Sequence, residues 1–319
     1  MKWLKTVWQT LKVSDGSRLS IIRVRDIGIQ SFGLAGIQWS QLTFLPRNQT
    51  ATACRKGRPK VAPVAKRLDI NGVQISTLRQ GQGQPLLFLH GANGASAWLP
   101  LFEELSNAYD VIVPEHPGFG LSDDPDWIKS IPDIAMFYLD FLEQLKLSNV
   151  ALVGTSLGGW IAAEVAVRSS TTLASLTLVC PAGVRVRGTP IADTFMWGPE
   201  ESVRNLFFNQ AIADRMLSVK PTEEQLTALL KNRFSTTKLA WEPRGFNPDL
   251  EKWLHRIKIP TQVIWGSEDK LIPAAYAEKW KENIPHATVS VLRECGHLPH
   301  IEKSDVVASK IHQLTGHAQ

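Results

Sequence analysis

Short apolar runs alternate with stretches of helical period from about Lys66 to the end of the chain. KRLDI and VQISTLR flank an Asn71-Gly72 pair and predict an opening hairpin. LLFLH, DVIVP, NVALVG, LASLTLVC, TQVIWG and ATVSVL are compact apolar runs bounded by turn residues, as expected of strands buried on both faces. Helical period separates them, from about Ser96 to Leu105, in IPDIAMFYLDFLEQLKL, IAAEVAV and PAAYAEKWKENI, and again near Asp305 to Gln313. Strands alternating with helices predict an α/β fold, a mostly parallel central sheet with helices on both faces.

One interval breaks this rhythm. Residues 183–260 read as helical, through PEESVRNLFFNQAIADRML, TEEQLTALLKNRF and NPDLEKWLHRI, with Thr222 and Gln225 fitting a capping box. A helical insertion of this size ahead of the TQVIWG strand predicts a cap over a site. Its aromatics, Trp197, Phe207, Phe208, Trp241 and Trp253, suit a cap core better than direct substrate contact.

The first 65 residues differ from the body at 66–319. Residues 1–68 hold 13 Lys and Arg against Asp15 and Asp26 alone, so the net charge of +5 belongs to this extension and the remainder is acidic. No nucleic-acid recognition motif accompanies the charge, so nucleic acid is not an expected partner. Trp3, Leu4, Val7, Trp8 and Leu11 share one helical face opposite Lys2, Lys5 and Lys12, which over residues 1–12 suits peripheral contact with an anionic membrane surface. A helix packed on the body or a frayed tail is the alternative. No apolar core precedes Ser14-Asp15-Gly16, so this is not the pattern of a signal peptide. Residues 27–46 lack charge but carry three Gln, two Ser and a Thr, too polar for a membrane span. Cys54, Cys180 and Cys295 are few and far apart, which implies neither a disulfide framework nor a zinc site. A reducing, cytoplasmic compartment is expected.

The chemistry centres on Gly154-Thr155-Ser156-Leu157-Gly158, a G-x-S-x-G placed between a strand and a helix. Small flanking residues let strand and helix approach closely, so the serine projects above the sheet beside a helix N-terminus. A serine hydroxyl needs a base, and the base an orienter. WGSEDKLIP brings Asp269 after one predicted strand, and ECGHLPHIE brings His297 after the last, giving the order Ser156, Asp269, His297. Glu268 should point away from the site. His300 is a candidate for its rim, and His116 for shaping a loop. The pair His297 and His300 lacks a third ligand at metal spacing, so no metal is expected. Asp110, Asp123 and Asp124 read as turn or solvated residues. His90-Gly91-Ala92-Asn93-Gly94 ends a strand, and Ala92 N–H with Leu157 N–H form the candidate oxyanion hole.

Taken together, HGANG, PGFGLSD, VGTSLGGW, WGSEDKLIP and CGHLPH resemble the α/β-hydrolase superfamily over about Lys66 to Leu314. LVGTSLGG, LVCPAG and IPTQVIWGSED followed by VLRECGH are similar to the monoacylglycerol-lipase branch and its bacterial relatives. The resemblance implies a cofactor-independent serine esterase acting on a small acyl ester, with Ser156, Asp269 and His297 as triad and Ala92 and Leu157 as oxyanion donors. The family's usual Asp is Glu115 here, with no expected effect on catalysis. Carbon–carbon hydrolases of ring-fission products resemble the chain too, but often carry Asn before the serine and Trp after the histidine, where Thr155 and Leu298 stand. An acyltransferase and a non-catalytic binding protein are the remaining readings.

Overall fold

The computed structural model describes residues 63–317. The amphipathic stretch at 1–12, Cys54 and nearly all of the 1–65 extension lie outside the described residues.

Strands β1 (Val64–Ile70) and β2 (Val73–Gly81) form the hairpin about Asn71-Gly72. β3 (Gln84–Leu89), helix α1 (Pro100–Leu105), β4 (Tyr109–Pro114), α2 (Ile131–Gln144), β5 (Val150–Thr155), α3 (Leu157–Arg168) and β6 (Leu173–Val179) follow. Then come α4 (Pro199–Leu206), α5 (Gln210–Ser218) and α6 (Glu223–Ala240). β7 (Thr261–Gly266), α7 (Tyr276–Asn283), β8 (Thr288–Leu292), α8 (Pro299–Glu302) and α9 (Ser304–Thr315) complete the body. The strands make one eight-stranded sheet in the order β1-β2-β4-β3-β5-β6-β7-β8. β1 and β2 pair antiparallel and β2 joins β4 antiparallel, while every pairing from β4 to β8 is parallel.

The two-residue period of the strands divides the core. Leu87 and Leu89 of β3 face a cluster with α2, α3 and α7. Leu86 and Phe88 face the other side, with α1 and α9. Burial on both faces is why these strands read as unbroken apolar runs. α3 is the most enclosed helix, with every residue from Leu157 to Val167 buried.

Three predicted helices begin or end elsewhere. The first starts only at Pro100, because Leu99 is extended and proline suits the first helical turn. PEESVRNLFFNQAIADRML is two helices rather than one. Phe207 is extended and buried, and Asn209 caps α5 by accepting from Ala211 N–H at 3.1 Å. NPDLEKWLHRI forms two short 3-10 turns, at 250–252 and 254–256. The capping box of α6 forms as Thr222 and Gln225 suggest.

Glu164, 2% exposed, ties the end of the inserted segment to α3. Its carboxylate accepts from Trp160 Nε1 at 3.2 Å and from Asn247 Nδ2 at 2.7 Å, and it pairs with Arg168. Removing one partner of a buried pair leaves the others unsatisfied. Glu164→Ala is expected to destabilise the protein by about 3 kcal/mol, read as a lower urea midpoint, with Glu164→Gln losing less.

Candidate active site

Ser156 joins β5 to α3 in a conformation that side chains rarely adopt, φ 52° and ψ −117°. Its N–H donates to Val179 O at 2.9 Å, and its carbonyl accepts from Ala182 N–H at 3.1 Å. The strain of positive φ is held by these neighbours. The turn also needs close approach. A Cβ on Gly158 would lie 2.1 Å from Leu89 O, and one on Gly154 would lie 2.3 Å from Gly158 O.

Two segments distant in sequence converge on the serine. His297 Nε2 stands 2.9 Å from Ser156 Oγ, and His297 Nδ1 stands 2.7 Å from Asp269 Oδ2. A carboxylate only accepts, so Nδ1 carries the proton and Nε2 offers its lone pair to the serine hydroxyl. Asp269 is held by the N–H groups of Leu271 and Ile272, both donating to Oδ1 at 2.9 Å. Asp269 and His297 are buried, and Ser156 is partly accessible. Glu268 is exposed beside this group, as its alternation requires.

Cys180 joins Asp269 and His297 in a buried cluster whose ligand-type atoms lie within 4.8 Å of one another, which chain spacing does not reveal. The Asp269 oxygens and His297 Nδ1 are already committed to the hydrogen bonds above. Burial, with Asp269 nearby, pushes the Cys180 thiol well above its usual range and keeps it protonated.

Gly91 brings the other loop to the serine: a Cβ there would stand 3.3 Å from Ser156 Cβ. The N–H groups of Ala92 and Leu157 meet no acceptor among the described residues. The direction of the Ala92 N–H follows from a chain of bonds below it. His116 backbone N–H donates to His90 Nε2 at 3.0 Å, so His90 carries its proton on Nδ1. That Nδ1–H donates to Gly91 O at 2.7 Å. Gly91 C=O and Ala92 N–H belong to one planar trans peptide and point in opposite directions, so holding one aims the other. His116 is fixed in turn. Its Nε2–H donates to His90 O at 2.9 Å, and its Nδ1 accepts from Tyr138 Oη at 2.6 Å. The two imidazoles stack at 3.7 Å. His116 thus does more than shape its own loop.

His300 is not at the rim. The turn of α8 buries it with Nδ1 3.4 Å from Thr155 Oγ1 and its ring against Phe88. Asp110, Asp123 and Asp124 pair with Arg79, Arg67 and Lys238. Glu115 is buried beneath Gly120 and accepts from Leu121 N–H at 2.8 Å, and burial raises its pKa.

The inserted helices touch both loops of the candidate site, which periodicity did not indicate. Leu206 O, at the break between α4 and α5, accepts from His297 N–H at 2.9 Å. Glu302 spans the same contact, accepting from Asn209 N–H at 2.7 Å and Gly296 N–H at 2.5 Å. On α6, Asn232 reaches the loop after β3 and Ser235 the loop after β4. A sequence signal exists in retrospect: Asn232, Ser235 and Leu239 share one helical face, so polar residues stand where a buried stripe is expected.

A profile described as the alpha/beta hydrolase family matches residues 86–310. The chain is 27% identical to Lipase 3 of Moraxella sp. strain TA144, covering 69% of this chain and 73% of that protein. It is 29% identical to a 2-hydroxy-6-oxo-6-(2'-aminophenyl)hexa-2,4-dienoic acid hydrolase of Metapseudomonas resinovorans, over 78% of this chain and 89% of the other. The crystal structure of a membrane phospholipase A, a bacterial virulence factor, superposes with a TM-score of 0.67 at 23% identity, over 80% of this chain and 86% of that one, a likeness of fold. Among the described residues no helix is long and apolar enough to cross a membrane.

Three buried histidines couple this site to acid. Burial lowers His90 to about 4 and His300 to about 3, the latter helped by neighbouring His297, and burial with His90 beside it holds His116 well below the usual value of 6.5. The unfolded chain therefore binds more protons below the ordinary histidine range, and stability present above it is lost as pH falls. The urea midpoint is expected to drop between about pH 7 and about pH 5.5, a window above most carboxylate titration. His300→Phe should show a shallower drop, and equal slopes would contradict the assignment.

Proposed function

Because the chain belongs to the alpha/beta hydrolase family, we propose that it is a serine hydrolase of carboxylic esters, acting on monoacylglycerols or other medium-chain acyl esters. The hydrogen-bonded series Ser156–His297–Asp269 is the observation that supports this most. Ser156 Oγ attacks the ester carbonyl carbon as its proton passes to His297 Nε2. Charge gathers on the carbonyl oxygen, which the N–H groups of Ala92 and Leu157 receive. Collapse breaks the carbon–oxygen bond, and His297 returns the proton to the departing alcohol. Water then attacks the acyl-serine with His297 again as base, releasing the carboxylic acid and restoring Ser156. Asp269 keeps the imidazole in the required tautomer and stabilises its charged form.

Ester cleavage is favoured over carbon–carbon cleavage by Thr155 and Leu298 beside the serine and histidine. The dienoic acid hydrolase relative keeps the second reading in the test. Nitrophenyl esters from acetyl to palmitoyl, monoacylglycerols and a ring-fission dienoate form one substrate panel. Ester turnover is expected to exceed dienoate turnover, and the best acyl length gauges the pocket. Ser156→Ala should lose ~10⁴-fold or more in kcat. Full activity in that variant, or dienoate turnover with negligible ester turnover, would overturn the assignment. The base must be neutral to accept a proton, so kcat/KM should fall on the acid side. A flat acid profile would argue against His297.

A further inference from the structure

The side chain of Asn232 is buried, 4% exposed, in the middle of α6, and is spent on two loops of the body. Its Nδ2 donates to Asn93 O at 2.9 Å, and its Oδ1 accepts from Gly120 N–H at 2.8 Å. The other polar contacts that this face of α6 makes with the body, from Lys231, Ser235 and Lys238, go to residues 118–124. Asn232 therefore links the inserted segment to the Gly91–Gly94 turn. The fit is close enough to constrain the turn itself. Gly94 has φ +84°, and a Cβ there would lie 2.5 Å from Asn232 Nδ2.

That turn is held at three points. Gly91 O accepts from His90 Nδ1, and also from Gly94 N–H at 3.2 Å. Asn93 O accepts from Asn232. Ala92 lies between the two held carbonyls. The first belongs to the body's own loop, whereas the second is supplied from the inserted helix. We propose that Asn232 is a positioning residue that completes the hold on the Gly91–Gly94 turn, so that the Ala92 N–H, aimed by His90, is kept in line for the oxyanion more firmly when α6 is seated. The inference rests on the serine-hydrolase reading above. A donor aimed at charge that exists only in the transition state affects kcat rather than substrate affinity. Small displacements of such a donor are costly.

The two arms of the amide can be separated. Asn232→Asp keeps an acceptor for Gly120 N–H but replaces the donor to Asn93 O with an oxygen. Ser235→Ala removes the neighbouring contact to Gly118 O and leaves the Gly91–Gly94 turn untouched. Kinetics on the best nitrophenyl ester, affinity for an alkyl boronic acid that forms a tetrahedral adduct on Ser156, and amide exchange of residues 91–94 would be measured on all three proteins. Asn232→Asp should lower kcat by at least about tenfold with KM within about twofold, and weaken the boronic acid by a similar factor. Exchange at 91–94 should accelerate. Ser235→Ala should keep kcat within about twofold. Unchanged kcat and unchanged exchange in Asn232→Asp, beside intact Ser156-dependent turnover, would overturn this inference alone. An equal loss in Ser235→Ala would reduce Asn232 to a general cap contact and overturn it too. A wild type without Ser156-dependent turnover would overturn both this inference and the hydrolase reading.

Discussion

The close approach of α3 to β3 under Ser156 is the constraint on which the site depends. The Gly158 backbone packs against the Leu89 and His90 carbonyls with no space for a side chain. This lets the helix begin directly at the serine and leaves the Leu157 N–H at the helix start, where partial positive charge gathers. It also brings the HGANG loop beside the serine, because that loop leaves β3 where α3 presses on it. A looser turn would move the Ala92 N–H away from Ser156 and from the Leu157 N–H beside it. The unusual φ of Ser156 persists because β6, the Pro181–Ala182 segment and α3 all grip its backbone.

Around this contact the polar groups form fixed directions rather than general polarity. Tyr138, His116 and His90 make a buried series in which the His90 carbonyl fixes the His116 tautomer and the His116 backbone N–H fixes that of His90, ending at the Gly91–Ala92 peptide. Burial keeps these imidazoles neutral, which suits groups that must each donate at one nitrogen and accept at the other. The same burial makes the fold sensitive to acid. Site geometry and stability therefore share one physical origin.

The inserted segment is part of this arrangement. Leu206 O contacts His297, Glu302 fastens that contact, and Asn232 reaches the opposite loop. The seam along α6 combines hydrogen bonds from Lys231, Asn232 and Ser235 and the Lys238–Asp124 ion pair with the buried Leu239 and Ala240 at the helix end. Leu226, Leu230 and Phe234 remain exposed on the same helix, at 47%, 70% and 64%. A helix held by polar contacts with few buried apolar neighbours is the kind of element that opens at low free-energy cost.

The chain pattern alone determined the alternating α/β body, the hairpin at Asn71-Gly72, the helical interval before β7 and the order of Ser156, Asp269 and His297. Those features are local: period, turn chemistry and motif spacing are written in neighbouring residues. The break at Phe207–Asn209 was not legible, because burial of Phe207 and the contact of Leu206 O with His297 outweigh continuous helical period. Burial of His300, the stacking of His90 on His116, the meeting of Cys180 with Asp269 and the reach of Asn232 to Asn93 were decided by tertiary structure. Each joins residues remote in the chain, and hydrogen bonds act only over a few ångströms. Which groups come within that range is set by how strands, helices and the inserted segment pack together.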